Sequence, residues 1–383
     1  MAEATAPSLP ISVRPVHSAA DLDLFIDLPH RTRYRQALWV PPLRRDMKVL
    51  LDRKRHPFHR HAEVEYFLAW RGAEVVGRIA AIENRAHNEF HQERVGFFGF
   101  IEGWPEPDIF AELLKAVEEW CRARKLTAVR GPANFSTNEE CGLLVEGFET
   151  PPSVMTPWNP PTWVPLVEGA DYNKAKDLLA WWLTEDTYDE RMHRLAEKMK
   201  EKLERTHGNV VCRPLRMNEF AAELERFRVV YNAAWERNWG FVPMTREEID
   251  FLAAELRPII VPELVRFVEI NGEPVGMSFS LPDYNQILRY MKGRLGPLEI
   301  GLALLLRKRL RTIRFITLGV VDKFRNRGLE SLLVSETVVA CRKLGYCATD
   351  MGWILEDNEM MNKILKNIGS KVYKRHRIYE KAL

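Results

Sequence analysis

The chain has 383 residues, 46% of them hydrophobic and 28% charged, with a formal net charge of +3. That length exceeds the ~250–300 residues at which a single core stops growing, so two domains are expected, and so small a charge gives no reason to expect a nucleic-acid partner. The five cysteines, Cys121, Cys141, Cys212, Cys341 and Cys347, are odd in number and form no CxxC pair, which suggests neither a disulfide framework nor a thiolate metal site.

The opening segment, MAEATAPSLP, lacks the charged and apolar regions of a signal peptide, and no apolar run reaches the ~18–20 residues that span a bilayer. A cytoplasmic protein is expected, with peripheral contact to the inner membrane left open. ISVRPVHSAADLDLFIDL then predicts a short strand ended by proline and an amphipathic helix, and EYFLAWRGAEVVGRIAAIENR predicts a hairpin with a glycine-containing turn. His56, His59, His61, His87 and His91 cluster here, but their spacings match no zinc signature and no cysteine joins them, so hydrogen-bonded or surface histidines and no metal are expected.

FFGFIEGWPEPDIFAELL leads from a strand into a helix through two prolines and three acids. After the next strand comes GPANFSTNEECGLLVEGFETPPSVMTPWNPP, rich in Asn, Ser, Glu, Gly and Pro. Such a segment is either an elaborate structural loop or one wall of a substrate pocket between domains, and Asn134, Asn138, Glu139 and Glu140 are its polar candidates for substrate binding. LLAWWL (178–183) is an apolar, tryptophan-rich patch that is either core or a block resting on a membrane surface. Residues 185–205 carry dense charge of both signs, while Met192, Leu195, Met199 and Leu203 recur at helical spacing. This reads as a solvated helix with one buried stripe, a charged connection over 185–207 between domains at 1–184 and 208–383.

The second half repeats the first. VVCRPLRMNEFAAELERF matches the opening strand and helix, with Arg213-Pro214 lying 199 residues after Arg14-Pro15, and VRFVEINGEPVGMSFSLPDY is a second hairpin whose Gly276 lies 199 residues after Gly77. Each half reads strand, helix, hairpin, strand, helix, strand, which gives an α+β (α/β) class with a mixed twisted sheet flanked by helices. One insert breaks the repeat: GRLGPLEIGLALLLRKRLRTIR, where Gly296-Pro297 and Glu299 start a helix whose leucines run into Arg307, Lys308, Arg309 and Arg311. It is either a core helix with a solvated cationic end or an apolar block resting on an anionic membrane through 296–311.

RFITLGVV then predicts a strand, and FRNRGLESLL passes from it into a helix closed by Gly345. Backbone N–H groups at that helix start, with Arg325 and Arg327 beside them, suit an anion such as a pyrophosphate. A further strand, YCATDMGWILEDN, a helix closed by Gly369 and a final alternating strand complete the chain.

This order resembles the GNAT N-acyltransferase fold, and LGVVDKFRNRGLESLLVSETVVACRKLGY is similar to the family's acyl-CoA motif, Arg/Gln-x-x-Gly-x-Gly/Ala. Arg325 and Gly328 fill its first two positions, whereas Glu330 stands where the family has a small residue, a departure that matters because a carboxylate repels a pyrophosphate. The resemblance implies that Leu318, Gly319, Val320, Arg325, Asn326, Arg327, Gly328, Leu329 and Asn358 bind the acyl-CoA co-substrate. Where many GNAT enzymes carry a tyrosine general acid this chain has Leu365, so Tyr373, Tyr379 or water would protonate the leaving thiolate, and Glu356 or Asp350 would take the ammonium proton. The N-terminal copy lacks the loop and is not expected to bind coenzyme A. VPPLRRDMKVLLDRKRHPFHRHAEVEYFLA, RVGFFGFIEG, NFSTNEECGLLVEGF and NPP are similar to a bacterial double-GNAT family, to which bacterial ceramide synthases are also similar. What this implies is transfer of a long-chain acyl group from acyl-CoA, or from an acyl carrier protein, to an amine acceptor of sphingoid type. An N-acetyltransferase for small molecules or peptides and a non-catalytic acyl-CoA sensor are the alternatives.

Overall fold

The computed structural model describes residues 9–33, 36–236 and 238–383. The first half contributes β1 (Ile11–Pro15), α1 (Ala19–Thr32), α2 (Arg44–Leu50), β2 (Ala62–Arg71), β3 (Glu74–Asn84), α3 (Arg85–His91), β4 (Val95–Gly103), α4 (Pro107–Ala123), β5 (Ala128–Gly131), β6 (Leu143–Glu146), α5 (Trp163–Glu168) and β7 (Asn173–Thr184). After α6 (Glu190–His207), the second half contributes β8 (Val210–Pro214), α7 (Phe220–Trp235), α8 (Arg246–Leu256), β9 (Val265–Ile270), β10 (Glu273–Pro282), α9 (Asn285–Met291), α10 (Pro297–Leu306), β11 (Thr312–Val320), α11 (Leu329–Leu344), β12 (Ala348–Leu355), α12 (Glu359–Asn367) and β13 (Lys371–Ala382).

The described strands form one mixed sheet in the order β1-β2-β3-β4-β5-β13-β7-β12-β11-β10-β9-β8, with β6 pairing β13 off this path. Either half shows the same pattern of an antiparallel meander, β1 to β4 or β8 to β11, then one parallel pair, β4 with β5 or β11 with β12. The last strands are exchanged. β13 lies against β5 of the first half, and β7 lies against β12 of the second, while β7 and β13 pair antiparallel at the centre. LLAWWL belongs to β7, where Leu178, Ala180, Trp181 and Leu183 are buried, so it is the middle of the sheet.

Local chemistry accounts for the helices that matter. Ser18 and Asp21 close a capping box at the start of α1. Pro107 starts α4, whose Ile109, Phe110, Leu113, Leu114, Val117 and Cys121 form one fully buried stripe. Each such side chain contributes about 1.5–3 kcal/mol on burial. Gly77 in β3 lets that stripe approach, since a Cβ there would lie 2.8 Å from Leu113. In α6, Ala196 and Leu203 are buried, Met199 packs on Gly328, and Leu195 faces outward. His56 and His59 pack among Phe58, Phe135 and Phe251, and burial pushes both down to about 4, so they are neutral. His61 instead pairs with Glu248 of α8 at 2.9 Å and joins the halves.

The insert is the exception to ordinary packing. None of the ten residues of α10 is buried, so the core-helix reading of this segment does not hold.

Candidate acyl-transfer site

The parallel pairing of β11 with β12 runs only from Thr312 and Ala348 to Phe315 and Met351. Beyond it the strands part, and Ile316 is a bulge, since Phe279 pairs with Thr317 and Ser280 with Phe315. The opening is a cleft of about 820 Å³ walled by Ile316 to Val320 on one side and Gly352 to Leu355 on the other. Beyond Phe315 no described strand pairs this edge of β11, and an unpaired strand edge can bond a ligand. Phe227, Tyr231 and Trp235 of α7 cover the cleft in a row, with stacked ring centroids 5.6 and 4.7 Å apart, and α8 adds Ile249, Leu252 and Leu256. Trp235 and Ala234 lie against Gly319, where a Cβ would come within 2.3 Å of the indole.

The corresponding gap between β4 and β5 is closed by the chain itself. Ala133 N–H donates to Phe98 O at 2.8 Å, the Asn134 side-chain oxygen accepts from Phe100 N–H at 2.7 Å, and Phe135, fully buried, stacks on Phe58. Gly99 is required there, because a Cβ would meet Ala133 O at 2.1 Å. Asn134 therefore holds a plug.

Next along the same segment, Thr137, Asn138 and Glu139 reach the wall of the cleft in the second half. Asn138 accepts from the Tyr231 hydroxyl at 2.8 Å and donates to Val242 O at 3.3 Å, while Thr137 donates to Gly240 O at 2.7 Å. Glu139 borders the cleft's interior with protein around it. Among the described residues no hydrogen bond or ion pair holds its carboxylate. Burial, helped by Glu140 and Glu248, pushes its pKa up to about 8. Glu140 lies beside Asn134 Nδ2 at 3.4 Å; burial raises its pKa against the lowering charges of Arg314 and Arg33.

The loop before α11 borders the cleft through Arg325 and Glu330. Arg325 is engaged by the protein: it donates to Val320 O at 3.1 Å and to Ala234 O, and pairs with Asp322 at 2.6 Å. Asn326 and Gly328 take left-handed conformations at φ 58° and 90°, and Gly328 also abuts Met199. Arg327 donates to His207 Nε2 at 2.7 Å, and Leu329 is core. Glu330 is buried at the helix start, which raises its pKa, while the N–H groups of Glu330 and Asn326 and the charge of Arg325 oppose the rise. Its Oε1 has no partner among the described residues. Asn358, at the far wall, caps α12 by accepting from Met361 N–H at 3.2 Å, and Leu365 lines the cleft.

None of the four proposed proton-transfer residues borders the cleft. Asp350 accepts from the Tyr373 hydroxyl at 2.8 Å, Glu356 accepts from Lys174 at 2.6 Å and from Asp177 N–H at 3.0 Å, and the Tyr379 hydroxyl donates to Glu168 at 2.9 Å in the first half. Sequence reading missed the cover of the cleft and Arg314, whose guanidinium donates to Thr156 Oγ1 at 3.1 Å and Gly352 O at 3.0 Å. A signal for the cover was present in aromatics at Phe227, Tyr231 and Trp235, spaced four apart on one helix face.

A doubled meander with parted parallel strands, one gap plugged and the other open beside a glycine-bearing helix start, defines a tandem N-acyltransferase of the GNAT class. The chain is 38% identical to the bacterial ceramide synthase of Caulobacter vibrioides (strain NA1000 / CB15N), over 97% of this chain and 98% of that one. It is 33% identical to Protein YghO of Escherichia coli (strain K12), over 97% and 95%. The chain belongs to the bacterial ceramide synthase family. Among solved structures it is similar in fold to a tandem GNAT protein from the clavulanic acid biosynthesis pathway, with a TM-score of 0.56 at 12% identity over 97% of this chain and 98% of that one. A GCN5-related N-acetyltransferase from Sphaerobacter thermophilus gives 0.52 at 13% identity, over 98% and 97%. No protein-family model matches the chain.

Proposed function

We propose that this N-acyltransferase moves a long-chain acyl group from acyl-CoA to the amine of a sphingoid base, and that the reaction takes place in the cleft between β11 and β12. The observation that carries this reading is the cleft itself: at about 820 Å³ it lies high in the ~300–1,000 Å³ range of ligand sites, and aliphatic and aromatic side chains dominate its walls. Such walls favour an acyl chain by burying it.

In this reading the unpaired backbone edge of β11 holds the donor's amides, and the bulge at Ile316 presents backbone N–H to the thioester oxygen. Residues 325–330 face the donor's phosphates and Asn358 the opposite wall. The ammonium of the acceptor pairs with Glu139, which takes one proton. The amine lone pair then adds to the carbonyl carbon, the oxyanion collapses, the C–S bond breaks, and the leaving thiolate takes the second proton from the nitrogen. Amide, thiol and one released proton balance the step. The four residues first considered for proton transfer, Asp350, Glu356, Tyr373 and Tyr379, act in this account by holding the exchanged strands.

A second donor, an acyl carrier protein, is favoured by Glu330, since a phosphopantetheine arm brings one phosphate where coenzyme A brings a diphosphate to the same carboxylate. Purified protein supplied with palmitoyl-CoA, palmitoyl carrier protein or acetyl-CoA, each against sphinganine, a polyamine and a peptide, distinguishes these by mass spectrometry of the amide. N-palmitoyl sphinganine is expected. Amide formed only from acetyl-CoA on the polyamine or peptide would sink the lipid reading.

A further inference from the structure

A surface helix normally turns polar residues to water. Helix α10 does the opposite. At ~100° per residue, Pro297, Leu298, Ile300, Gly301, Leu304 and Leu305 share an arc of roughly 160°, and no polar side chain lies in it. Leu298 is 86% exposed, Ile300 47%, Leu304 60% and Leu305 69%. The other face rests on the protein, with Ala303 and Leu306 packed on Ile287, Met291 and Leu310. The exposed arc is thus a built surface on a docked helix.

Cations frame it. Lys292 and Arg294 precede the helix and Arg307, Lys308, Arg309 and Arg311 follow it, all exposed. Among the described residues no carboxylate pairs with any of them, and the one acid in the segment, Glu299, accepts from Gly296 N–H at 2.9 Å at the helix start. An apolar face rimmed by unpaired cations is complementary to a bilayer whose headgroups are anionic. Its position also suits lipid traffic: the Tyr284 hydroxyl, in the layer beneath α10, reaches Ile259 O at 3.4 Å, next to Ile260 in the wall of the cleft.

We propose that α10 is a membrane-docking element that buries Leu298, Ile300, Leu304 and Leu305 in the interface of an anionic bilayer, with Arg307, Lys308 and Arg309 against the phosphates. This goes beyond the acyl-transfer reading and stands on the surface alone. Among the described residues no helix is long and apolar enough to cross a membrane, so the contact is peripheral.

Co-flotation of the full chain with phosphatidylglycerol-containing vesicles and with pure phosphatidylcholine vesicles tests it. Binding to the anionic vesicles is expected, weakened by high salt. Arg307→Gln/Lys308→Gln/Arg309→Gln should weaken it about fivefold per cation removed. Leu298→Ser/Leu304→Ser/Leu305→Ser should abolish it while leaving the melting temperature unchanged. Flotation of both variants equal to that of the parent overturns the proposal. So does absence of flotation with a dimer in light scattering that the leucine variant dissociates, for then a second copy of the chain covers the helix. Acyl transfer assayed without vesicles on short-chain substrates separates the two claims: retained turnover in a variant that no longer floats leaves the active site standing, and flotation without turnover leaves the surface standing.

Discussion

At the scale of single residues, the half-buried Glu139 and the buried Glu330 are two acids that border one cleft with opposite effects. Glu139 is protonated over most of the neutral range, because its pKa is raised to about 8, and the proposed base role requires it deprotonated. kcat/KM should therefore rise with pH and level off above about 8, and Glu139→Gln should lower kcat/KM and remove that limb; a retained limb would move the base elsewhere. The sign for stability is the reverse. A carboxyl whose folded pKa lies above its unfolded value favours folding least at high pH, with the loss accruing from about 4.5 to about 8, so Glu139→Gln should melt higher than the parent at pH 9. In the proposed donor site Glu330 stands beside the phosphates, and Glu330→Gln, which removes the charge and keeps the shape, should tighten coenzyme A binding several-fold by calorimetry. Weaker binding would mean that the carboxylate's contacts with the loop N–H groups hold the loop open. The polar run Asn134 to Glu140 was legible as special because such residues are uncommon after a core strand, but the direction each faces is decided by the plug: Asn134 turns into β4, whereas Asn138 and Glu139 turn to the other half. Asp350 and Glu356 read as free strand-end acids because their partners, Tyr373 and Lys174, come from β13 and β7, and β7 belongs to the other half of the chain.

At the scale of elements, the same pair of parallel strands has two fates. In the first half Phe135 fills the gap, and Phe135→Ala should cost about 3–5 kcal/mol of stability in urea denaturation, since it empties a fully buried site beside Phe58 and Phe100. It should create no second thioester site, because Pro105 and Pro107 stand where the other copy has its glycine loop. A loss below about 1 kcal/mol would show that the gap collapses unaided. Strands and the turn glycines announced themselves through alternation and punctuation, as did the loop at Arg325 to Gly328. The cover of the cleft did not, because the same face of α7 also packs on the sheet in the ordinary way, through Val230, Phe227 and Trp235 against Val265, Phe267 and Met277. For α10 composition left both readings open; exposure rules out the core helix, and that exposure depends on how α9 and Leu310 pack beneath it.

At the scale of the whole molecule, the duplication was legible from two features at one offset, while the exchange of β7 and β13 was not, since strand partners hundreds of residues apart leave no mark on local sequence. We treat 1–184 and 208–383 as the two copies, joined through the helix within 185–207. Each copy sends its last strand into the other, so fragments cut at these bounds lack a partner at the sheet's centre. Neither should show a cooperative unfolding transition alone, and the two should regain one on mixing; an independently folding fragment would contradict the exchange. Folding thus creates the cleft with the second half's strands and the first half's acid in one unit. The measurement that tests the account most directly is single-turnover reaction of the purified protein with palmitoyl-CoA and sphinganine, following free thiol and amide together. Equal amounts of coenzyme A and N-palmitoyl sphinganine, both lost in Glu139→Gln with donor binding intact, are predicted. Thioester binding without amide, or thiol released as free fatty acid forms, would contradict it.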